Sequence, residues 1–490
     1  MGSTSAAAPA TADDCVPPKK RICPTSEQPA QNCDRISALP DDILIKILSL
    51  MTIREAGMTD CLSTRWRHLW ENVDCLILNK HAFGMQVPEN SNNDENSNIW
   101  NSEAIKFVNK VNGVLMHHSG SGIKRFEVDF PLSSANALEL DRWVTFAAAS
   151  GSKGLCLYLC DHRSMVASQH VEPYNFPLDH FVDLRGCRFQ YLYLTMCSLE
   201  AAPANLSGFS CLNFLALQLV SVADSVLLNI MSCCRALRRL ALTRCHQLTN
   251  VRTFHAKLVE LEVYDCKSLI GISIHAEKLK RFSYKGHKID VQYEYAPVLL
   301  KLRALFVKNN ECPFDLMGAL PTLRSLILQF PSRLRLSRVL QHSGRFVGLK
   351  QIVLCLLTSY KKSARAVAYL LKAAPKVQTL GLKVYGDLQL QPLSELKIRW
   401  PKKCSLKRLH TISMEGFSGE PELLELVLFI LRRSPVLKQL LISPHPSHYH
   451  AYGKWKRDES EDDARCCHAK WVALTHLAPK VPSTVKFTII

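Results

Sequence analysis

Residues 237–284 read LRRLALTRCHQLTNVRTFHAKLVELEVYDCKSLIGISIHAEKLKRFSY and contain one six-residue pattern three times. The pattern is an apolar residue, two variable residues, an apolar residue, one variable residue and a last apolar residue, starting at Leu237, Leu258 and Leu279. Each unit of 21 residues has room for one short strand whose apolar side chains it cannot cover alone. The sequence therefore predicts stacked units that cover one another.

The same pattern recurs on both sides of this stretch. Good copies also start at Leu212, Leu302, Leu323, Leu349, Val377 and Leu437, and looser copies start at Phe189 and Leu409. Repeats of 20–29 residues with this signature are typical of leucine-rich repeats. We predict an α/β fold, a repeat solenoid with a curved parallel sheet. The alternative is an ordinary α/β sandwich with irregular strands.

The parts between the predicted strands vary in length. Residues 223–234 and 363–372 have apolar residues at helical spacing, whereas shorter units have room only for extended or 3₁₀ backbone. Cys245 and Cys266 follow their strands directly, and we expect their thiols to fill buried turns. The chain has 19 cysteines and no apolar N-terminal signal, so we expect them to be reduced.

A different pattern precedes the repeats, in DRISALPDDILIKILSLMTIREAGMTDCLSTRWRHLWENVDCL, which starts at Asp34. Pro40, Asp41 and Asp42 favour the start of a helix, and Thr52 with Glu55 predicts a capping box for a second one. The apolar stripe predicted for the second helix consists of Met58, Leu62, Trp66, Leu69 and Trp70. Helices this short cannot bury a core of their own. Part of their apolar surface should therefore belong to a partner.

This stretch resembles a plant F-box in LPDDIL from Leu39 and in LSTRWRHLW from Leu62. The resemblance implies binding to a Skp1-like adaptor and, through it, to a cullin ubiquitin ligase. The residues that it assigns to the adaptor are Leu39, Pro40, Ile43, Ile47 and Leu48. We assign Trp66 and Trp70 to the protein's own core. The alternative is that all of these apolar residues belong to that core.

Residues 404–444 resemble the FBD region that follows the repeats in many plant F-box proteins of the F-box/FBD/LRR type. We expect this region to be a terminal repeat whose longer helix shields the open end of the stack. The predicted parts are a disordered tail (1–33), the F-box (34–78), a linker with a polar loop and a helix (79–120), leucine-rich repeats (121–403), the FBD-like region (404–444) and a C-terminal loop and strand (445–490).

The target of such a receptor would bind the concave face of the sheet, where side chains alternate with the buried leucines. The candidate target-binding residues are the aromatics Phe214, Tyr264 and Phe306 and the cations Lys285 and Lys308. Alternatively, the aromatics pack against loops or a terminal segment. We expect no cofactor, although a small anionic ligand, as some hormone-sensing members of the family use, stays open.

The formal net charge of +18 favours acidic partners. The charge is spread along the chain and the predicted concave face mixes both signs, so we do not expect nucleic acid. The basic cluster Lys19, Lys20 and Arg21 resembles a nuclear import signal, and we expect the protein in the nucleus, the cytoplasm or both. There is no run of 18 apolar residues, so we expect no membrane partner.

Motifs for catalysis are missing from the sequence. It contains no phosphate-binding Walker loop, no GxSxG motif and no zinc-finger spacing of His and Cys, so we predict a non-catalytic protein with no metal site. The resulting hypothesis is a substrate-recognition subunit of an SCF-type ubiquitin ligase. The alternatives are a non-degradative interaction scaffold and a nuclear nucleic-acid-binding protein.

Overall fold

The computed structural model describes most of the chain after the N-terminal tail. The described ranges are 34–85, 97–160, 172–182, 187–287, 289–293, 299–306, 322–329, 346–357, 363–385, 398–402, 404–445, 447–449, 455–457 and 463–490. The predicted tail and the import candidates Lys19, Lys20 and Arg21 lie outside these ranges, as do Lys308 and residues 87–96 of the polar loop, which the sequence predicts over 87–98.

Eight α-helices lie in the described part, and the first two begin where the sequence predicts. They are α1 (Asp41–Leu48), α2 (Ile53–Met58), α3 (Ser97–His117), α4 (Ala137–Ala149), α5 (Asp224–Cys233), α6 (Ser363–Ala373), α7 (Pro421–Leu431) and α8 (Asp463–Val472). At the start of α2, the Thr52 hydroxyl accepts a hydrogen bond from the Glu55 amide, and the Glu55 carboxylate accepts one from the Thr52 amide. This pair confirms the predicted capping box.

Fifteen of the described strands form one parallel sheet. The strands are β1 (Cys75–Asn79), β2 (Arg125–Asp129), β3 (Gly154–Tyr158), β4 (Tyr174–Asn175), β5 (Tyr191–Thr195), β6 (Cys197–Leu199), β7 (Phe214–Gln218), β8 (Ser221–Val222), β9 (Arg239–Thr243), β10 (Asn250–Phe254), β11 (Glu260–Tyr264), β12 (Gly271–His275), β13 (Arg281–Gly286), β14 (Asp290–Tyr293), β15 (Lys301–Phe306), β16 (Ser325–Gln329), β17 (Gln351–Leu357), β18 (Thr379–Tyr385), β19 (Thr411–Glu415), β20 (Gln439–Ser443), β21 (Ser447–Tyr449), β22 (Trp455–Arg457) and β23 (Lys486–Ile489). The order in the large sheet is β1-β2-β3-β5-β7-β9-β11-β13-β15-β16-β17-β18-β19-β20-β23. Each repeat contributes one strand to this sheet and all of its strands are parallel, which confirms the predicted solenoid.

The register of β15 differs from the prediction. Leu302 pairs with Phe282, so the first apolar position of this repeat is Leu299, which is fully buried, and not Leu302. The shift of three residues exchanges the two faces of the strand, because side chains alternate along it. In this register Lys301 and Arg303 occupy concave positions of the strand, and Phe306 occupies one of the alternate positions, which are not concave.

A left-handed residue follows the sheet strand in four consecutive repeats. These residues are Met196, Leu219, Arg244 and Asp265, each with φ between 54° and 56°. The amide of each donates a hydrogen bond to a carbonyl at the end of the next repeat's strand, at 2.6 to 3.1 Å. This ladder offsets the strain of a positive φ, which costs about 1–3 kcal/mol per non-glycine residue. Cys245 and Cys266 come next and are buried, as predicted.

The second layer of the repeats follows the length of each unit. Longer units carry α5 and α6, which lie where the sequence predicts helices, at 223–234 and 363–372. The short units instead carry β10, β12 and β14, which pair in parallel as a separate sheet of three strands. The prediction of extended backbone in short units is therefore confirmed, and the extended segments satisfy one another's backbone groups.

The C-terminal end of the stack is built differently from the prediction. Helix α7 does not cover the open end, because two further strands, β20 and β23, extend the sheet after it. The last unit contains α8, whose Ala469 and Val472 are buried, where the sequence predicted only a loop and a strand. The final strand itself is present as β23.

The N-terminal helices join the sheet without an intervening free segment. Strand β1 follows the helices directly and pairs with β2 over five residues. Helix α3 lies in the segment predicted as a linker, and its Phe107 and Val111 are fully buried in the common core. Among the described residues, no helix combines the length and the hydrophobicity needed to cross a bilayer.

Candidate interaction surfaces

The N-terminal helices leave an unusual share of their large apolar side chains in solvent. Those at least one-third exposed between residues 36 and 62 are Ile36, Ile47, Leu50, Met51, Met58 and Leu62. Leu50 is 89% exposed, and a folded protein gains nothing by presenting such a side chain to water. We call these six side chains the exposed apolar cluster, and so many large exposed apolar residues in one short stretch of sequence are typical of a protein-interaction site.

The predicted adaptor-binding residues fall into two groups. Pro40 is exposed, Ile47 is 36% exposed, and Leu39 and Ile43 are half-buried at the edge of the core. Leu48 is only 1% exposed, so its assignment to the adaptor is wrong for this structure. It lies one turn after the fully buried Leu44, on the face of α1 that packs inward.

The predicted stripe of the second helix is also corrected. Met58 and Leu62 are exposed, whereas Trp66 and Leu69 are buried. The helical period does not hold across this stretch, because α2 ends at Met58 and His68 has a φ of 67°. The side chains that the pattern assigned to one stripe therefore point in different directions, and two of them add to the exposed cluster.

Hydrogen bonds hold the entry of α1 against the end of the helical unit. The Trp66 indole donates to the Ser37 hydroxyl at 2.6 Å. The Arg65 guanidinium donates to the Leu39 carbonyl at 2.6 Å and to the Asp41 carboxylate at 2.9 Å. These contacts fix Leu39 and Pro40 in position. The prediction that Trp66 belongs to the core is confirmed, while Trp70 is half-buried.

A cleft of about 560 Å³ lies between α2 and α3. Its walls include Ile53, Trp70 and Phe83, and Arg54 and Lys110 add two cations. These two positive charges favour an anion over a cation. They are the only feature of this cleft that agrees with the predicted option of a small anionic ligand.

The concave face of the sheet presents an aromatic patch near its N-terminal end, which we define as Tyr158, Tyr191, Tyr193 and Phe214. The rings of Tyr158 and Tyr193 lie 4.8 Å apart, and all four residues are half-buried. The Tyr193 hydroxyl donates to the Gln218 side chain at 2.6 Å. The sequence signal for two of them was FQYLYL, whose concave positions follow from the alternation of the strand.

A mainly basic patch follows on the next strands. It consists of Arg239, Glu260, Glu262, Arg281, Lys285, Lys301 and Arg303 on β9, β11, β13 and β15. The Glu260 carboxylate contacts Arg239 at 2.8 Å and Arg281 at 2.7 Å, and Lys285 contacts Asp265 at 3.0 Å. Five cations stand against two carboxylates on these strand positions, so this part of the face attracts anionic groups.

The predicted target-binding residues are only partly brought together. Phe214 lies on the concave face with the Arg239 guanidinium 4.6 Å from its ring centroid, and Lys285 lies in the basic patch. Tyr264 is only 4% exposed, so its assignment as an anchor is wrong for this structure. The register of β15 does not place Phe306 at a concave position, so its assignment as an anchor is wrong for this structure. Lys308 lies outside the described residues.

Gly154 makes room for the aromatic patch. A Cβ at this position would lie 1.8 Å from ring atoms of Tyr191, whose hydroxyl donates to the Lys124 carbonyl at 3.1 Å. We expect Gly154→Ala to displace the ring and to lower the free energy of unfolding by about 1–3 kcal/mol. Urea unfolding measures this, with Gly113→Ala as the control, because Gly113 faces open space in a helix where Ala is favoured.

Two glutamates on β11 have opposite environments. Burial alone would raise the pKa of Glu260, but the Arg281 hydrogen bond and the charge of Arg239 hold it below its usual value. Burial raises the pKa of Glu262, and the charge of Glu260 raises it further. Ionised Glu260 therefore stabilises the fold above about pH 4.3, and this is lost as the pH falls through its lowered pKa. Protonated Glu262 contributes to the stability of the fold fully only below about pH 4.3, and this contribution is lost as the pH rises through its raised pKa.

Because the pKa values of Glu260 and Glu262 shift in opposite directions, we expect their Gln variants to change the free energy of unfolding in opposite directions. At pH 7 we expect Glu260→Gln to lower the free energy of unfolding by about 1 kcal/mol, a modest value because both arginines are nearly half exposed. Glu262→Gln should raise it at pH 7, and this gain should disappear near pH 4. Urea unfolding at both pH values provides the measurement, and shifts of the same sign for both variants at pH 7 would contradict the assignment.

Comparison with known proteins adds the last evidence. A family model described as F-box domain matches residues 36–78, and one described as At1g61320/AtMIF1, LRR domain, matches residues 114–490. Three similar proteins of Arabidopsis thaliana are F-box/FBD/LRR-repeat protein At1g13570 (25% identical, covering 84% of this chain and 91% of that one), putative F-box/LRR-repeat protein At3g58880 (25%, 80% and 88%) and putative FBD-associated F-box protein At5g50270 (24%, 84% and 97%). An LRR protein of Leptospira interrogans aligns with a TM-score of 0.28 and 13% identity, which is too weak to support an argument.

Proposed function

The chain belongs to the plant F-box/LRR-repeat family, whose members are protein-interaction adaptors, and we propose that it is the substrate-recognition subunit of an SCF-type ubiquitin ligase. In this proposal a Skp1-like adaptor covers the exposed apolar cluster of the N-terminal helices. A cullin joins through that adaptor, and a target protein binds the concave face of the repeats.

The observation that carries the proposal is the exposed apolar cluster on the F-box. Leu44 and Trp66 complete the internal core, so the exposed side chains, including Ile47 and Leu50, are not needed to hold the unit together. Covering them with a partner removes apolar area from water at about 25 cal/mol per Å². The structure thus has a core and a separate apolar surface within one small unit.

Ubiquitin transfer by such a complex is positional. The receptor holds a target lysine near a conjugating enzyme that other subunits carry, which raises the effective concentration of the lysine. The receptor needs no catalytic group of its own for this role, in keeping with a family of non-catalytic adaptors. It needs two binding surfaces and a fixed geometry between them, and β1 supplies a direct connection.

We propose that the protein works in the nucleus, the cytoplasm or both. Two features support this placement: the basic cluster Lys19, Lys20 and Arg21, and the cysteines of the described residues, which are free thiols. Free thiols in such numbers suit a reducing compartment.

The test is co-purification followed by reconstitution. Tagged full-length protein should retain a Skp1-type adaptor and a cullin, and the assembled complex should ubiquitinate proteins that co-purify with the repeats. Adaptor binding without ubiquitination would favour the scaffold alternative. A protein that stays alone in the presence of the adaptor would refute the proposal.

A further inference from the structure

The aromatic patch and the basic patch lie side by side on one continuous surface. Strands β5, β7, β9, β11, β13 and β15 are consecutive neighbours, and their concave positions are in register. Tyr193 on β5 is four strands from Lys285 on β13 and five from Lys301 on β15. Neighbouring strands are about 4.8 Å apart, so these separations are roughly 19 and 24 Å.

The charges along this surface are ordered. Glu260 and Glu262 lie on β11, between the aromatic patch and the lysines. Glu260 is already paired with Arg239 and Arg281, and Lys285 is paired with Asp265. Strands β13 and β15 bring four cations, Arg281, Lys285, Lys301 and Arg303, without a carboxylate among their own concave positions. An incoming acidic group therefore meets two carboxylates on β11 but only cations on the concave positions of β13 and β15, so it is attracted more strongly beyond β11.

From this order, and resting on the proposed function, we infer that the concave face takes an extended acidic segment of the target protein. The segment has one aromatic or large aliphatic residue on the aromatic patch and its acidic residues over β13 and β15. An extended chain advances about 3.3 Å per residue, so the acidic residues lie roughly six to seven residues from the anchor. Residues in between cross β11 and are not acidic.

The aromatic patch suits an anchor because its rings are already held in place. Tyr191 lies over Gly154, Tyr193 is hydrogen-bonded to Gln218, and Phe214 lies under Arg239. Rings that are fixed before binding lose little conformational entropy when an apolar side chain packs on them. The lysines add charge attraction, which sets register and orientation more than affinity.

Synthetic peptides and the full-length protein test this inference by fluorescence anisotropy. The main probe is a fluorescein-labelled peptide with one Phe, five Gly and Ser residues and then two Glu, which places the Glu residues six and seven residues from the Phe; the reversed order is tested too. We expect at least one order to bind ten-fold more tightly than its analogue with Lys in place of Glu. Its affinity should also exceed, by a similar factor, that of a peptide in which only two residues separate the Phe from the Glu residues.

Substitutions in the protein locate the site. Lys285→Gln/Lys301→Gln should weaken binding of the main probe at least five-fold, and so should Phe214→Ser. The control Lys407→Gln/Arg408→Gln removes the same net charge from exposed positions four strands beyond β15, and it should leave binding unchanged. Equal binding of the Glu and Lys peptides, no binding of any of them, or equal losses in the control would overturn the inference.

Capture of the Skp1-type adaptor is measured on the same variants. The adaptor surface is on the F-box, so each concave-face variant should retain the adaptor as the wild type does. If the peptides fail while the adaptor is captured, only the acidic-segment inference falls. If the adaptor is not captured by the wild type, the proposed function falls as well.

Discussion

Ile47→Glu will weaken binding of a Skp1-type adaptor about 30-fold or more while leaving the protein folded. Ile47 is 36% exposed, so a carboxylate at this position remains hydrated in the free protein. In the complex the same carboxylate is buried against apolar side chains without a partner, which is strongly unfavourable. We expect a loss of about 2 kcal/mol or more, the scale of an interface hot spot, and thus roughly a 30-fold or larger increase in Kd.

The matched control for this variant is Leu138→Glu. Leu138 is 72% exposed on α4, outside the F-box, and the substitution adds the same charge in place of an exposed aliphatic side chain. Titration calorimetry with purified adaptor and thermal unfolding of the receptor give the two readouts. Wild-type affinity for Ile47→Glu, or an equal loss for Leu138→Glu, would show that the adaptor does not use this surface.

A second variant separates the surface from the core. Leu48 is the neighbour of Ile47 in α1 but belongs to the interior. Leu48→Ala should therefore act on stability, with a loss of about 2–5 kcal/mol in the free energy of unfolding. Its affinity for the adaptor should fall only to the extent that the helical unit unfolds. The pair Ile47 and Leu48 thus tests the division between the two faces of one helix.

The repeats were predictable from the sequence because each unit carries its own signal. The pattern located the strands of the repeats from Phe189 to Leu437, and at Leu302 it chose the wrong register because Leu299, Leu302 and Leu305 offer two overlapping matches. Three residues of slip were enough to exchange the faces of β15. A short pattern finds a strand more reliably than it finds which side of the strand is buried.

The interaction surfaces were harder to predict because they depend on contacts between distant residues. Leu48 and Tyr264 match their motifs, yet both are buried by neighbours that no local pattern shows. Met58 and Leu62 were assigned to a helical stripe, but α2 ends at Met58 and the backbone turns again at His68. The aromatic patch likewise joins β3, β5 and β7, so its residues are separated in the sequence and meet only through the stacking of units.

The connection between the two surfaces leads to the second large prediction, which concerns Phe107 of α3. Its ring stacks on Phe130 with centroids 4.4 Å apart and meets the edge of Phe83 at 5.6 Å. Phe83 follows β1, and Phe130 follows β2. Phe107 thus lies where the F-box meets the first strands of the repeat sheet, and its side chain is fully buried.

Phe107→Ala should loosen this junction. The cavity should lower the free energy of unfolding by about 3–5 kcal/mol, and the F-box should move relative to the concave face. Ubiquitin transfer depends on the distance between target lysine and conjugating enzyme, so its rate should fall more than ten-fold as the effective concentration drops. Adaptor and target affinities, measured separately, should each change by less than two-fold, since neither binding surface contains Phe107.

Phe429→Ala is the matched control for the junction variant. Phe429 is also buried and stacks on Trp400 at 4.6 Å, but it belongs to α7, far along the chain from the F-box. Its truncation creates a cavity of the same kind without touching the junction, so transfer should continue near the wild-type rate. Phe107→Leu, which retains most of the side-chain volume, should fall between the wild type and Phe107→Ala. If Phe429→Ala slows transfer as much as Phe107→Ala, the loss reflects general instability and the geometry of the junction is not what limits the reaction.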